Sequence, residues 1–237
     1  GKPYSSSLTL PRKLPPPDGG LTSLPLRYHA DRYISCYWEF VHPLFPLYYK
    51  PDFVAKYEQL WLPRPGQNAD GVEDILFLCS LNLILALGCQ FCDEVPPSER
   101  LAMASQFFER SQHFITYDIM GSTSLSLVQW LLSTAVYCQS SSQATRCWNA
   151  VGLAIRMAQY MGLHSEQPVQ AKSPVEREIK RRVWHTCVVF DRYVGSFQQA
   201  TTLGWLSGLE IEVYLLSSPL LPSVPSFDTY VPARAHS

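Results

Sequence analysis

The sequence predicts an all-α fold: a multi-helix, bundle-like domain with an irregular N-terminal linker and a Ser/Pro-rich C-terminal tail. Three observations predict it. Proline is absent between Ser98 and Gln167, so nothing there removes a helical N–H or clashes with the preceding turn. Apolar residues recur at three- and four-residue spacing through most of the chain, with cap residues at the starts of several runs. Strand-like alternation is confined to GLEIEVY (Gly208 to Tyr214), where it is weak.

Residues 1–23 carry Pro11, Pro15, Pro16 and Pro17 followed by Gly19 and Gly20, and read as a flexible or extended linker. A helix from about Ala30 to Val41 follows, stopped by Pro43. Pro51 then takes a first-turn position before DFVAKYEQLW, where its missing N–H costs nothing. Asp70 and Glu73 have capping-box spacing, opening a helix from Gly71 to about Phe91. Ser98 begins another, with Leu101, Ala104, Phe107, Phe108 and Ile115 along one face. Ser124 to Tyr137 forms the next, with Val128, Leu131, Leu132 and Ala135 inward.

The stretch QATRCWNAVGLAIRMAQYMGLH ends at His164 and is apolar over most of a helical circumference, the mark of a buried helix. Trp148, Val151, Ile155 and Ala158 form one stripe, and Ala150, Ala154 and Met157 another. Trp148 is expected in the core, with a truncation cost of about 3–5 kcal/mol. Small residues at 150, 154 and 158 would let a neighbour approach closely, and Gly162 suits a left-handed helix end with Leu163 as its apolar contact. The last helix opens at SPVE: Ser173 as cap, Pro174 in the first position, Glu176 three residues after the cap. It is expected to end near Asp191-Arg192.

Hydrophobic residues make up 46% of the 237, enough for a sizeable core. The formal net charge of −1 offers no excess to neutralise a phosphate backbone, so this chain is not expected to bind nucleic acid by electrostatics alone. The first residue is Gly1, so the sequence reads as a fragment or an incomplete gene model, and its opening lacks the apolar core of a signal peptide. Ile75 to Cys89 is too short to span a bilayer and reads as a buried helix. Seven scattered cysteines fit a reducing compartment.

Each candidate for chemistry has a stronger structural explanation. Cys147 and His164 lie about 25 Å apart along a helix and cannot form a nucleophile–base pair. Cys89 and Cys92 have C-x-x-C spacing, but no second ligand pair exists to complete a zinc site, so they read as free thiols at a helix end. The basic triplet Lys180 to Arg182 is accounted for by Glu176–Lys180 and Glu178–Arg182 pairs at i,i+4, over a buried stripe of Val175, Ile179, Val183 and Cys187. Asp191-Arg192 follows CVVF and reads as a structural ion pair; Asp93-Glu94 reads as a solvated loop. Phosphate loops, nucleophile elbows and HExxH or Asp-rich metal motifs are absent, so no catalytic, cofactor-binding or metal-ligating residue is assigned.

Four blocks in order carry a family likeness. YWEFVHPLFPLYYKPDFVAKYEQLW (Tyr37 to Trp61) resembles the opening of the fungal-specific transcription factor regulatory domain, also called the xylanolytic activator regulatory domain. LILALGCQFCDEVP (Leu83 to Pro96) and the run from Ser126 to His164 continue it. SPVEREIKRRVWHTCVVFDRYVGS (Ser173 to Ser196) resembles that family's ERE-(R/K)RR-W helix and Asp-Arg pair. After Asp191-Arg192 the family gives Gly-Arg-Pro, whereas this chain has SFQQATTLGWLSGLEIEVY. The stripe of Val183, Val188, Val189 and Phe190 is therefore expected to be poorly covered.

The resemblance implies a domain over 24–196 with a divergent tail over 197–237. It implies a non-enzymatic nuclear regulator of transcription, working through protein contacts or an effector response. In that family an N-terminal six-cysteine zinc cluster reads DNA; no such cluster can be drawn from the cysteines here, so zinc is expected only outside this chain and none within it. Implied partners are DNA through that separate module, transcriptional co-regulators, a small-molecule effector and a second copy, with no membrane. The alternative from the residues is an all-α enzyme or a bundle that binds an apolar ligand in its interior.

Overall fold

The computed structural model describes residues 24–62, 71–113, 115, 121, 123–165 and 173–203. Among these there are seven α-helices and no strand, in accord with the all-α expectation. They are α1 (Arg27–Cys36), α2 (Lys50–Gln59), α3 (Val72–Gln90), α4 (Pro97–His113), α5 (Leu125–Ser140), α6 (Ala144–Tyr160) and α7 (Pro174–Leu203). A π-helical turn, Tyr37–Val41, continues α1 until Pro43 ends it, its wide loop closed by the His42 N–H on the Tyr37 carbonyl at 2.9 Å.

The centre of the fold is α3, buried from Ile75 to Cys89 apart from Phe77. It is long and apolar enough to cross a membrane, yet α1, the π turn, α4 and α5 cover its flanks. Asn82 on this helix returns its amide to the Leu78 carbonyl at 2.9 Å, which tolerates a polar side chain in the core. Gly88 has a specific role. A Cβ there would overlap the Tyr33 carbonyl oxygen and lie 2.7 Å from the carbonyl carbon, so α1 rests on α3 backbone to backbone. The N-cap of α3 is Gly71, without a side-chain cap, and Asp70 lies outside the described residues.

On the other side, α5 and α6 form a hairpin and α7 packs on both. The sequence signals at these ends hold. Ser124 Oγ accepts from the Leu127 N–H at 3.3 Å and Ser173 Oγ from the Glu176 N–H at 3.1 Å. Gly162 is left-handed at φ 70°, with the Gly162 N–H on Gln159 O and the Leu163 N–H on Ala158 O: a Schellman end.

Three placements differ from expectation. Trp148 is 52% exposed, because α6 buries Cys147, Ala150, Val151, Ala154, Met157 and Ala158. The line of small residues sets which side faces α5, and Trp148 lies beyond its edge. Leu101 is 62% exposed for a similar reason. Arg100 takes the inward position at the start of α4 and donates from Nε to the Val95 carbonyl at 2.9 Å and from Nη1 to Gln90 O at 3.5 Å. Finally, α7 does not stop near Asp191-Arg192 but continues to Leu203, and both of those residues are exposed. Of the stripe expected to be poorly covered, Val183 and Phe190 are buried, with the Phe45 ring stacked 5.3 Å from Phe190, while Val188 and Val189 are half-buried. Trp205 to Leu216 lies outside the described residues.

Candidate functional site

The cysteines do not converge on a ligand set. All seven are buried and free, spread over α1, α3, α5, α6, α7 and the turn after α3, and no group of three or more metal-ligating side chains occurs among the described residues. Cys89 Sγ donates to the Ala86 carbonyl at 3.3 Å, and burial pushes its thiol up to about 12. Cys147, near the start of α6, is raised to about 11 by the same cause, while His164 lies past the far end of that helix with its ring 5.9 Å from Trp184. Neither thiol is a thiolate at neutral pH.

The charged run on α7 pairs as expected but is less solvated than expected: the Arg181 side chain is exposed, whereas those of Lys180 and Arg182 are largely covered. Lys180 reaches Glu176 at 2.8 Å and Arg182 reaches Glu178 at 2.7 Å, both at the expected spacing. Arg181 adds two hydrogen bonds to Glu178, and these donors, Arg181 first, hold that carboxyl below the usual carboxylate range. Beneath the run, Val183 and Cys187 are buried. Glu94 is more than a solvated loop residue: it accepts from Tyr28 Oη at 2.8 Å and Arg32 Nε at 3.0 Å, tying the turn after α3 to α1.

Two concave sites among the described residues bear on function. A cleft of about 370 Å³ between α1 and α2 is lined by Trp38, Lys50 and Tyr57 among others. Its groups already serve each other, with Lys50 Nζ 5.6 Å from the Trp38 ring centre, Tyr57 Oη on Asp31 at 2.6 Å and Arg27 on Glu58 at 2.5 Å. The second, about 170 Å³, lies where α2, α3, α5 and α7 meet, with apolar walls from Phe53, Phe77, Leu125 and Ile179. Tyr48 and Ser80 line it, and behind Tyr48 the hydroxyls continue to Ser133. Ser133 Oγ lies 2.9 Å from the Gln129 carbonyl, which accepts from it, and 2.9 Å from Tyr48 Oη, with which it shares a hydrogen bond. Burial raises the Tyr48 phenol to about 12, so it stays protonated. The signal for this polar patch in the sequence is the set of polar residues inside apolar runs: Ser80 in α3, and Gln129 and Ser133 in α5.

The fungal specific transcription factor domain matches residues 34–197, most of the helical body. The chain belongs to this family. Among the relatives are Sorbicillinoid biosynthetic cluster transcription factor 2 of Penicillium rubens, 32% identical over 86% of this chain and 28% of the relative. Transcription factor FBD3 of Gibberella moniliformis is 26% identical over 74% of this chain and 23% of its own length. Activator of stress genes 1 of Saccharomyces cerevisiae is 24% identical over 73% and 18%. The chain thus spans about a quarter of the length of the curated relatives it matches. No solved structure matches it. The family and these relatives are transcription factors, not enzymes.

Proposed function

We propose that this chain is the regulatory module of a nuclear transcription regulator, modulating transcription through contacts with co-regulators, a second copy of itself or a small effector. The observation that carries the reading is the family match across 34–197, which takes in the core helix α3 and the α5–α6–α7 unit. The supporting physical fact is charge. With a net charge of −1 the chain has no overall cationic excess to draw DNA, which supports assigning the reading of a DNA site to a separate module, for which a zinc cluster is the family's means.

Fusion to an unrelated DNA-binding domain tests the reading. In fungal cells, a reporter bearing that domain's site should respond differently to the fusion than to the DNA-binding domain alone. The isolated chain should show no salt-dependent affinity for duplex DNA. A fusion with no effect on reporter output would overturn the proposal, and steeply salt-dependent binding by the isolated chain would overturn the division of labour.

A further inference from the structure

Two buried thiols from distant parts of the chain meet where α1 crosses the turn after α3. On α1 and its π-helical continuation, Tyr28, Arg32, Cys36 and Phe40 recur at every fourth residue and share one face. That face runs along the turn in reverse chain order. Tyr28 and Arg32 hold the Glu94 carboxylate at 2.8 Å and 3.0 Å, and Phe40 stacks on Phe91 with ring centres 5.7 Å apart. Between these two fixed points Cys36 faces Cys92, and the two thiols hydrogen-bond each other. Beside the pair, the Tyr33 carbonyl rests on Gly88 and keeps α1 against α3. Both cysteines are buried and free.

We propose that Cys36 and Cys92 are a modification site: they form a reversible disulfide with each other when the surrounding thiol pool is oxidised, latching the end of α1 to the turn after α3. The oxidant is a small disulfide of the glutathione class. The Cys36 thiolate attacks one sulfur of that molecule and expels its first thiolate. The Cys92 thiolate then attacks the Cys36 sulfur of the mixed disulfide and expels the second. One S–S bond breaks in the oxidant and one forms in the protein. The two cysteine protons pass through solvent to the two expelled thiolates, and the two electrons given up by the protein reduce the small disulfide to two thiols. Cys36 is the first nucleophile because it keeps 5% exposure, against none for Cys92, and has the Arg32 guanidinium one turn away to favour its thiolate.

Cys89 is nearer to Cys92 in sequence but is turned elsewhere. Its Sγ lies 3.3 Å from the Ala86 carbonyl and 3.8 Å from that of Arg100. Burial, and after it the neighbouring Cys92, holds the Cys36 thiol above its ordinary value, so little of it is thiolate at neutral pH and exchange is slow. On one side the pair is flanked by the Phe40–Phe91 stack, each ring 45% exposed. Parting of those surface rings, rather than unfolding of the core, admits the oxidant. Such a pair stays reduced in a reducing compartment and answers sustained oxidation rather than a brief pulse. Its use as a signal rests on the reading of the chain as a regulatory module; the disulfide itself does not.

The test is incubation of the folded 237-residue chain with reduced and oxidised glutathione at a series of ratios, then alkylation of free thiols and non-reducing peptide mapping. We expect one predominant disulfide, Cys36 to Cys92, reversed by dithiothreitol. Cys89→Ala should leave it in place, and Cys36→Ala and Cys92→Ala should each remove it. The oxidised chain should unfold at a urea midpoint higher by about 1 M or more, because the cross-link closes a loop that contains α2 and α3. In denaturing urea the same oxidation should spread over other cysteine pairs. If an alanine variant does not fold, the wild-type map decides the matter. Four results would each overturn the proposal: Cys36 and Cys92 alkylated at every ratio, a Cys89–Cys92 disulfide in place of Cys36–Cys92, the same single pair formed in denaturing urea, or an oxidised chain no more stable than the reduced one. A chain that forms the disulfide yet leaves the reporter unmoved keeps this proposal and loses the regulatory reading, so the two failures are told apart.

Discussion

Replacing Gly88 by alanine adds a single methyl group, and the structure predicts that it separates two helices. The new Cβ would overlap the Tyr33 carbonyl oxygen, lie 2.7 Å from the carbonyl carbon and 3.3 Å from the Tyr33 Cα. All three are backbone atoms, so no rotamer change relieves the overlap. To restore ordinary contact, α1 must retreat from α3 by more than about 1 Å, and a gap of that size forfeits a large part of each dispersion contact across it. The residues that lose contact are Ala30, Tyr33, Ile34 and Tyr37, all buried. Overpacking of this kind costs about 1–3 kcal/mol and occasionally more, against a helix-propensity gain of about 1 kcal/mol for glycine to alanine. A backbone clash places the cost at the upper end of that range, so we expect a net loss of about 2 kcal/mol. The same substitution at Gly152 in α6 is the control, because its Cβ would meet nothing within 4 Å. There the propensity gain stands alone, and stability should rise by about 0.5–1 kcal/mol. Urea unfolding of both variants reads the two signs. A Gly88→Ala protein as stable as Gly152→Ala would show that α1 does not rest on α3 as described.

Trp148→Ala should cost less than about 1 kcal/mol in the same urea assay, because half the side chain is already in solvent; a loss above 3 kcal/mol would place it back in the core. Ser173→Ala should cost about 1 kcal/mol by leaving the Glu176 N–H without its cap, with Ser173→Asp restoring most of it. Cys79, Cys89 and Cys187 are pushed by burial up to about 12, above the unfolded value, so their contribution to stability is complete below about pH 8.5 and is lost as pH rises towards the folded values. Urea midpoints should therefore fall between pH 8 and pH 10.5, and a midpoint that rises over that window would contradict the burial of these thiols.

What was legible in the sequence were local events. Ser124, Ser173 and Gly162 announce helix ends because the groups they satisfy lie within a few residues, so no knowledge of the fold is needed. The same holds for the Glu176–Lys180 and Glu178–Arg182 pairs, one helical turn apart. Rotation about a helix axis is different. When apolar residues cover most of the circumference, as in α6, the pattern says that the helix is buried but not which side is deepest. The partner decides that, and α5 chose the small side over the Trp148 side. Leu101 gave way to Arg100 because backbone carbonyls of Gln90 and Val95 needed a donor, which no periodicity records.

The cavity belongs to this second kind of information. Its lining comes from four helices and from positions as far apart in the chain as Tyr48 and Ile179, so nothing in local spacing joins them. Yet one trace was present: Ser80, Gln129 and Ser133 are polar residues in helices otherwise built to exclude water. Such residues persist in a core only when something satisfies them, and each polar group has to be accounted for separately. Tyr48 and the backbone account for the two serines. Leu47 accounts for one end of the Gln129 amide.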